Sequence, residues 1–462
     1  MSLGEAAGRP GKPRSMKLPA ALEKLMGDML RLGGKAPTGR AAIFAFLIRV
    51  ASAGIAYFSQ VLLARWMGSF EYGIYIFVWV WVLILGGLAP LGLSTSCMRF
   101  VPEYRETGRY PLLRGLLLQA RVIAISASTV IALAGAACLA LFGHMLADYY
   151  LLPFFLILFC LPMYTLVDVQ DGISRGYGWM DVALLPPYIL RPLLLLLAML
   201  GVWFAGLEMN AVNAAGAAVF ACWGAAIAQS VQLHRRVSAD MGAGPRATDT
   251  NVWVRTSLPL FLVHSFGLLL LNTDILVLSR YADPSQVAVY FAALKTISLV
   301  AFVHFAVGAA SAGRFSAHNA RGERAKLQSA VADSVKWTFW PSLAGVIVLL
   351  ILGKPLLWLF GADFTQGYPV MFVLAAGLLA RAATGPVEFI LNMLGEQKIC
   401  AVLLAVSAGA NILLNFALIP SYGSMGAAIA TTISMGFAAM AMATTAHKRL
   451  SLDCFIWRRV RA

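Results

Sequence analysis

Charge is scarce in this sequence. Of its 462 residues only 12% are Asp, Glu, Lys or Arg, about half of the ~25% usual in soluble domains. Hydrophobic residues reach 60%, and the mean hydropathy is +0.78. A water-soluble chain cannot bury that much apolar surface, so the composition requires lipid as solvent. Catalytic motifs are missing as well. There is no GxxxxGK(S/T) phosphate loop, which excludes ATP hydrolysis within this chain, and no HExxH. The six cysteines (Cys97, Cys138, Cys160, Cys222, Cys400 and Cys454) form no CxxC pair. That removes a redox or zinc motif and leaves small buried hydrophobes as their expected role. The turns between apolar runs are too short for a soluble catalytic domain, so a transporter rather than an enzyme is expected. The first 40 residues lack an apolar signal-peptide core, so no cleaved leader is expected.

What is present is a succession of apolar runs at 41–66, 73–98, 112–142, 149–174, 181–205, 211–234, 256–280, 286–312, 325–352, 368–394, 398–419 and 425–446. A spanning helix needs ~20 apolar residues, and a spanning backbone must satisfy its own hydrogen bonds. Runs of this length without period-2 alternation predict about twelve transmembrane helices in an all-α integral membrane protein. The formal net charge of +15 does not point to nucleic acid, because its distribution has another cause. With the N-terminus inside, 28 of the 36 basic residues fall on the cytoplasmic side, and only Arg65, Arg280 and Lys354 fall in outer turns. The positive-inside rule therefore predicts N-in and C-in. In the leader (1–40), Leu18, Leu22, Leu25, Met29 and Leu32 recur at helical spacing, which suggests an interfacial helix on the inner leaflet.

The sequence repeats itself. ARWMGSFEYGIY (64–75) is answered by SRYADPSQVAVY (279–290), with Arg65 on Arg280 and Tyr75 on Tyr290 at an offset of 215. The turn at 102–117 answers 316–331, Gly178 answers Gly395, and Gly216 answers Gly426. Six spans per repeat is an even number, so both copies insert the same way up as a parallel repeat. The expected organisation is a leader 1–40, an N-lobe 41–237, a cytoplasmic linker 238–255, a C-lobe 256–447 and a basic tail 448–462. The hairpin at 64–75 reads as an outer turn, with Tyr72 and Tyr75 in the interfacial aromatic belt.

Four stretches carry a family resemblance: RVASAGIAYFSQVLLARWMGSFEYGIYIF, LGLSTSCMRFVPEY, LLLLNTDILVLSRYADPSQVAVY and NILLNFALIPSYGSMGAAIATTIS. Over about residues 40 to 447 the chain resembles the polysaccharide-transport (Wzx-type) oligosaccharide flippases, of the same superfamily as MATE exporters and the MurJ lipid II flippase. The resemblance implies two six-helix bundles around a central cavity. It implies an undecaprenyl-diphosphate-linked oligosaccharide as cargo, moved from the cytoplasmic to the periplasmic leaflet of a bacterial inner membrane. It also implies a polymerase and other polysaccharide-assembly proteins as partners. The Pro–x–x–Ser that family members often carry near the end of span eight is missing from GAASAGRFSAHNARG.

Ionisable side chains at bilayer depth face a cavity or a partner, so each is a site candidate. Arg49, Arg121, Arg191, Lys295 and Arg381, with Gln60 beside Arg49 on one helical face, make a candidate cationic cavity. Arg presents a planar donor fork that suits a diphosphate. Against these five bases stand four acids, Asp168, Asp171, Asp274 and Glu388, so the balance tilts only slightly to an anionic ligand. Asp274 and Lys295 lie ~12–15 Å deep at ~1.5 Å per residue. They are expected to pair across neighbouring spans, as a fixed salt bridge or as a switch in which Asp274, with Asn272 and His264, takes Na⁺ or H⁺. Tyr164, Asp168, Asp171 and Arg175 share one helix face, and Arg381, Thr384, Glu388 and Asn392 another. Asp171 and Glu388 correspond in the repeat, which makes Asp168, Asp171, Arg175 and Glu388 a candidate inner gate or interlobe ion pair. No cofactor or metal is expected. A cation-coupled drug exporter and a membrane polymerase or ligase are the alternatives.

Overall fold

The structure, a computed structural model, describes residues 37–457, with side chains described from Ala51 onward except that of Pro259. The side chain of Arg49 and the expected leader helix around Leu18–Leu32 lie outside the described residues. Arg49–Ala462 forms one compact unit. Among the described residues every regular element is helical: α1 Pro37–Leu88, α2 Leu93–Glu106, α3 Tyr110–Phe142, α4 Asp148–Leu158, α5 Leu161–Gly176, α6 Met180–Leu185, α7 Arg191–Phe204 and α8 Ala211–Asp240. There follow α9 Thr250–Tyr281, α10 Pro284–Ile297, α11 Ala301–Ala320, α12 Arg324–Ile351, α13 Gly353–Trp358, α14 Tyr368–Ala382, α15 Val387–Met393 and α16 Gln397–Leu450. Nine helical stretches among them are long and apolar enough to cross a membrane, or ten when α4 and α5, bent by 46°, count as one.

The breaks have local causes. Gly68 (φ 78°, ψ 171°) and Gly423 (φ 55°, ψ −132°) leave the helical region, so α1 and α16 are each two helices joined at a glycine. Gly92 (φ 77°) separates α1 from α2 inside the second expected span, 73–98. Pro186 and Pro187 open a π-helical turn, Pro186–Leu190, between α6 and α7, where missing N–H groups break the i→i−4 ladder. Helix starts are capped where the chain turns. The Asn210 side chain accepts from Asn213 N–H at 3.0 Å, and Asp283 accepts from Ser285 and Gln286 N–H at 2.7 and 3.2 Å. These caps satisfy amides that have no partner inside the helix.

The repeat has a backbone counterpart. Gly108 and Gly322 have φ of 69° and 70°, Gly178 and Gly395 of 79° and 91°, and Gly206 and Gly423 of 71° and 55°. Corresponding turns in the two halves of the chain thus use the same left-handed residue.

Packing differs between the two ends of the bundle. At the end that carries Arg65 and Lys354, one apolar core takes residues from both halves, including Tyr57, Tyr72, Tyr75, Tyr290, Phe291, Phe360 and Phe364. Toward the basic end it gives way to two separate cores. One surrounds Cys97, Phe100, Leu116 and Ile173, and the other Phe315, Val331, Ile390 and Cys454. Tyr72 and Tyr75 are fully buried, not interfacial as expected from their flanking charges. Tyr72 gives its hydroxyl to Gln60 Oε1 at 2.8 Å and packs edge-on against Phe291 and Phe364. Five cysteines are buried as expected, but Cys138 is exposed on the outward face of α3, and all six are free.

Candidate functional site

The two halves meet most closely at the Arg65 end. Arg65 donates to Leu359 O at 2.8 Å and Trp358 O at 2.9 Å, and stacks 4.7 Å over the Trp358 ring. Tyr57 and Thr296 share a hydrogen bond of 3.1 Å. Gly73 lies so close to the second half that a Cβ there would sit 1.8 Å from Pro284 O. Toward the basic end the two halves connect through α2 and α9, by Ser96–Ser257 (2.8 Å) and Trp253–Tyr104 (2.9 Å).

Among the described residues, three clusters of polar side chains within the bundle hold the ionisable candidates. In the first, Arg191 enters at the start of α7, just after the π-helical turn. Its guanidinium sits 5.4 Å from the Trp79 ring and 5.2 Å from the Tyr164 ring. No carboxylate lies in salt-bridge range of it among the described residues. Arg121 is comparable: half-buried, with its Nε buried and unbonded.

The second cluster is a cavity of about 550 Å³ toward the basic end of the second half. Its apolar wall includes Leu260, Leu404, Met435 and Met442, and its polar groups are His264, His304, Arg381, Glu388, Asn392 and Gln397. Arg381 and Glu388 pair at 3.3 Å across the break between α14 and α15, where Gly385 takes φ 63°. The two residues, seven apart, therefore meet across an interrupted helix rather than along a continuous one. His304 is buried, and both of its ring nitrogens lack a partner. Sequence reasoning passed over His304, because a lone histidine in an apolar run has no distinguishing spacing.

The third cluster surrounds Asp274, which is 1% exposed. Its carboxylate accepts from the Tyr290 hydroxyl at 2.5 Å, the Thr431 hydroxyl at 3.3 Å and Ile275 N–H at 2.9 Å. The expected pair with Lys295 is not formed. Lys295 is exposed and lies 5.0 Å over the Phe291 ring. The hydroxyls of α10 and α16 occupy the carboxylate instead, which satisfies a buried charge without a second ion. Asn272 also departs from expectation, since its amide donates to Leu268 O in its own helix at 2.8 Å. Likewise the Gln60 carbonyl is taken by Tyr72.

The candidate gate carboxylates are held by arginines of their own half. Asp171 pairs with Arg175 at 2.8 Å, as Glu388 does with Arg381. Asp168 lies on the same helix, and its backbone carbonyl accepts from the Ser94 hydroxyl at 2.9 Å. His264 does reach the interface between the halves, since a Cβ on Gly87 would sit 3.5 Å from its Nε2.

The sequence profile described as polysaccharide biosynthesis protein matches residues 38–315, and that of MatE matches residues 259–417. Over 162 residues the chain is 22% identical to a probable low-salt glycan biosynthesis flippase, Agl15, of Haloferax volcanii. That match covers 35% of this chain and spans only 34% of the relative's length. An inward-facing multidrug resistance MATE family transporter of the MOP superfamily superposes with a TM-score of 0.72 at 15% identity, over 88% of this chain and 98% of that one. The lipid II flippase MurJ, in its inward closed conformation, superposes with a TM-score of 0.69 at 14% identity, over 88% of each chain. At such identities the superpositions establish the fold, while the profile match covers more than half of the sequence. The chain is a multi-pass membrane protein and belongs to the polysaccharide biosynthesis protein family.

Proposed function

We propose that the chain is a flippase for a polyprenyl-diphosphate-linked oligosaccharide, with undecaprenyl as the expected lipid, carried from the cytoplasmic to the periplasmic leaflet of a bacterial inner membrane. The observation that carries this is Arg191. It is an intramembrane guanidinium held between two aromatic rings, with no carboxylate in range among the described residues. A cation at bilayer depth is costly without a counter-charge. A diphosphate supplies one, in a form that matches the donor fork of arginine. Arg121 and Lys295 are further cations of the same path, and Arg49 is proposed with them from its position in the sequence. The names of the Haloferax relative and of MurJ support a lipid-linked cargo.

The cycle we infer is alternating access of two six-helix lobes, 41–237 and 256–447, joined by 238–255. Counting α4 with α5 as one span and each of the two glycine-jointed helices as two gives the twelve spans expected, and both termini are proposed to lie inside. The shared core at the Arg65 end and the two separate cores at the basic end support a resting state closed outside and parted inside. Asp274 is the proposed H⁺ or Na⁺ acceptor, with Tyr290 and Thr431 as its companions. Energy comes from an ion gradient or from the membrane potential, which is worth ~2.3 kcal/mol per charge per 100 mV and, inside-negative, favours outward movement of an anion. Polymerases and other assembly proteins are the proposed partners downstream.

The test is deletion of the gene followed by extraction of lipid-linked sugars from each leaflet. Accumulation of the completed unit in the cytoplasmic leaflet is expected. Accumulation in the periplasmic leaflet would point to a polymerase or ligase instead. The MatE match favours cation-coupled export as a second reading, and energy-dependent dye efflux from cells that express the protein would support it.

A further inference from the structure

The cavity of the second half differs in kind from the Arg191 clasp. Its one arginine, Arg381, is already paired with Glu388 at 3.3 Å, so its polar side carries no net ionic charge. What remains free there is neutral hydrogen-bonding capacity. His304 is 9% exposed and has two unpartnered ring nitrogens. In neutral form it offers one donor and one acceptor. Asn392 and Gln397 add amide groups, and the Gln397 amide reaches Asn392 O at 3.0 Å. Buried polar groups are almost always hydrogen-bonded, so an unbonded imidazole that lines a cavity marks a place for a ligand. Donors and acceptors mixed on one side, with an apolar wall opposite, suit a pyranose ring, which has hydroxyls at its edges and C–H groups on its face. A diphosphate would instead have to displace Glu388 from Arg381.

The cavity and the clasp are separated by a single helix at two adjacent glycines. A Cβ on Gly86 would sit 2.6 Å from Cδ1 of Tyr164, which faces Arg191. A Cβ on Gly87 would sit 2.4 Å from Leu268 Cδ1 and 3.5 Å from His264 Nε2, both groups of the cavity wall. A helix with side chains is about 10–12 Å across, and a glycine pair makes it thinner. One or two sugar rings span such a distance.

We propose that the second-half cavity is a sugar subsite, in which His304, Asn392 and Gln397 bind an uncharged sugar residue of the cargo while the Arg191 clasp of the first half holds its diphosphate. This rests on the flippase reading and divides its substrate between the two halves. The cavity thereby sets glycan specificity, and the clasp sets affinity for the lipid diphosphate common to all such cargo.

The experiment uses the full-length protein in nanodiscs and two probes: a bare polyprenyl diphosphate, and the same lipid bearing a neutral oligosaccharide. Wild type is expected to bind the glycosylated lipid more tightly. His304→Ala and Gln397→Ala should each weaken binding of the glycosylated lipid by about 5- to 10-fold, one net hydrogen bond or slightly more, and leave the bare lipid unaffected. Gln397 is exposed, so its variant tests the subsite even where His304→Ala fails to fold. Arg191→Gln should weaken both lipids equally. Equal loss of both lipids in the cavity variants, or equal wild-type affinity for the two, overturns the subsite and spares the flippase. A wild type that binds neither lipid overturns the flippase reading, and the subsite falls with it.

Discussion

Arg65 is the most exposed of the contacts that hold the halves together at the outer end, and it can be removed without disturbing the core. Its guanidinium makes two hydrogen bonds to carbonyls at the C-terminal end of α13, those of Trp358 and Leu359, and stacks on the Trp358 ring. A hydrogen bond with a charged partner contributes ~1.5–3 kcal/mol, and solvent exposure places both bonds at the low end. A cation–π contact at an exposed site adds ~0.5–1 kcal/mol. These terms overlap, so Arg65→Ala should cost the closed outer end about 2–3 kcal/mol. At 1.4 kcal/mol per tenfold, that is roughly a 30- to 150-fold change in the closed-to-open ratio. An outward-open state that starts as a minor population of ~1% would come to about a quarter to three-fifths of the molecules. Electron–electron resonance between spin labels at Leu207 and Ala362, one in each half at this end, reads the change directly. The variant should show a new long-distance component, and Arg65→Lys, which keeps the charge but loses the fork, should fall between. Distance distributions identical in wild type and Arg65→Ala would refute the idea that this contact holds the outer end shut.

Three further outcomes follow from the same geometry. Gly73→Ala places a Cβ 1.8 Å from Pro284 O; two backbones must part, so the same labels should report opening and thermal stability should drop. Both effects should exceed those of Gly216→Ala, where a Cβ meets nothing within 4 Å. Asp274→Asn keeps an acceptor for Tyr290 and Thr431, so the protein should fold and reach the membrane. Transport should lose its dependence on the coupling ion, and an unaltered ion dependence in proteoliposomes would rule Asp274 out as the acceptor. In the turn after α11, hydrogen bonds from Lys326 (2.9 Å) and His318 (2.8 Å) hold the Glu323 carboxyl down to about 2. A depressed carboxylate contributes stability above its unfolded value of ~4.3 and loses it as pH falls toward its folded one. Glu323→Gln should therefore lessen the fall in melting temperature of wild type between about pH 4.5 and 2, with little change in slope between pH 5 and 8.

Most of the architecture was legible because it rests on local chemistry. Lipid demands long apolar helices, and their lengths and turns could be read from hydropathy. The duplication at 64–75 and 279–290 fixed a register that the left-handed glycines at 108 and 322, and at 178 and 395, repeat in the backbone. Pro186 and Pro187, which lack backbone N–H groups, stand where the π-helical turn interrupts the helix. Pairing was harder to read. Asp171 with Arg175, four apart on one helix, follows from spacing. Arg381 with Glu388 was placed on one face by counting, yet the contact depends on a helix that stops and restarts at Gly385.

By itself the sequence determined that this chain lives in lipid, that it is helical and internally duplicated, and which few charges enter the membrane. Each of these follows from composition and from periods of a few residues. Only the tertiary structure decided what those charges touch. Asp274 and Lys295 lie at similar depth on adjacent spans, but the rotation of α10 brings the Tyr290 hydroxyl to the carboxylate and leaves the ammonium over Phe291. Tyr72, flanked by charge in the sequence, is buried where Phe291 and Phe364 of the second half pack against it, and Tyr75 is buried beside Trp79 of its own half. His304 acquires meaning only from helices distant in the chain, α9, α15 and α16, that wall its cavity. Contacts between helices depend on rotation and offset set by packing across the whole bundle, and no local pattern of residues encodes those.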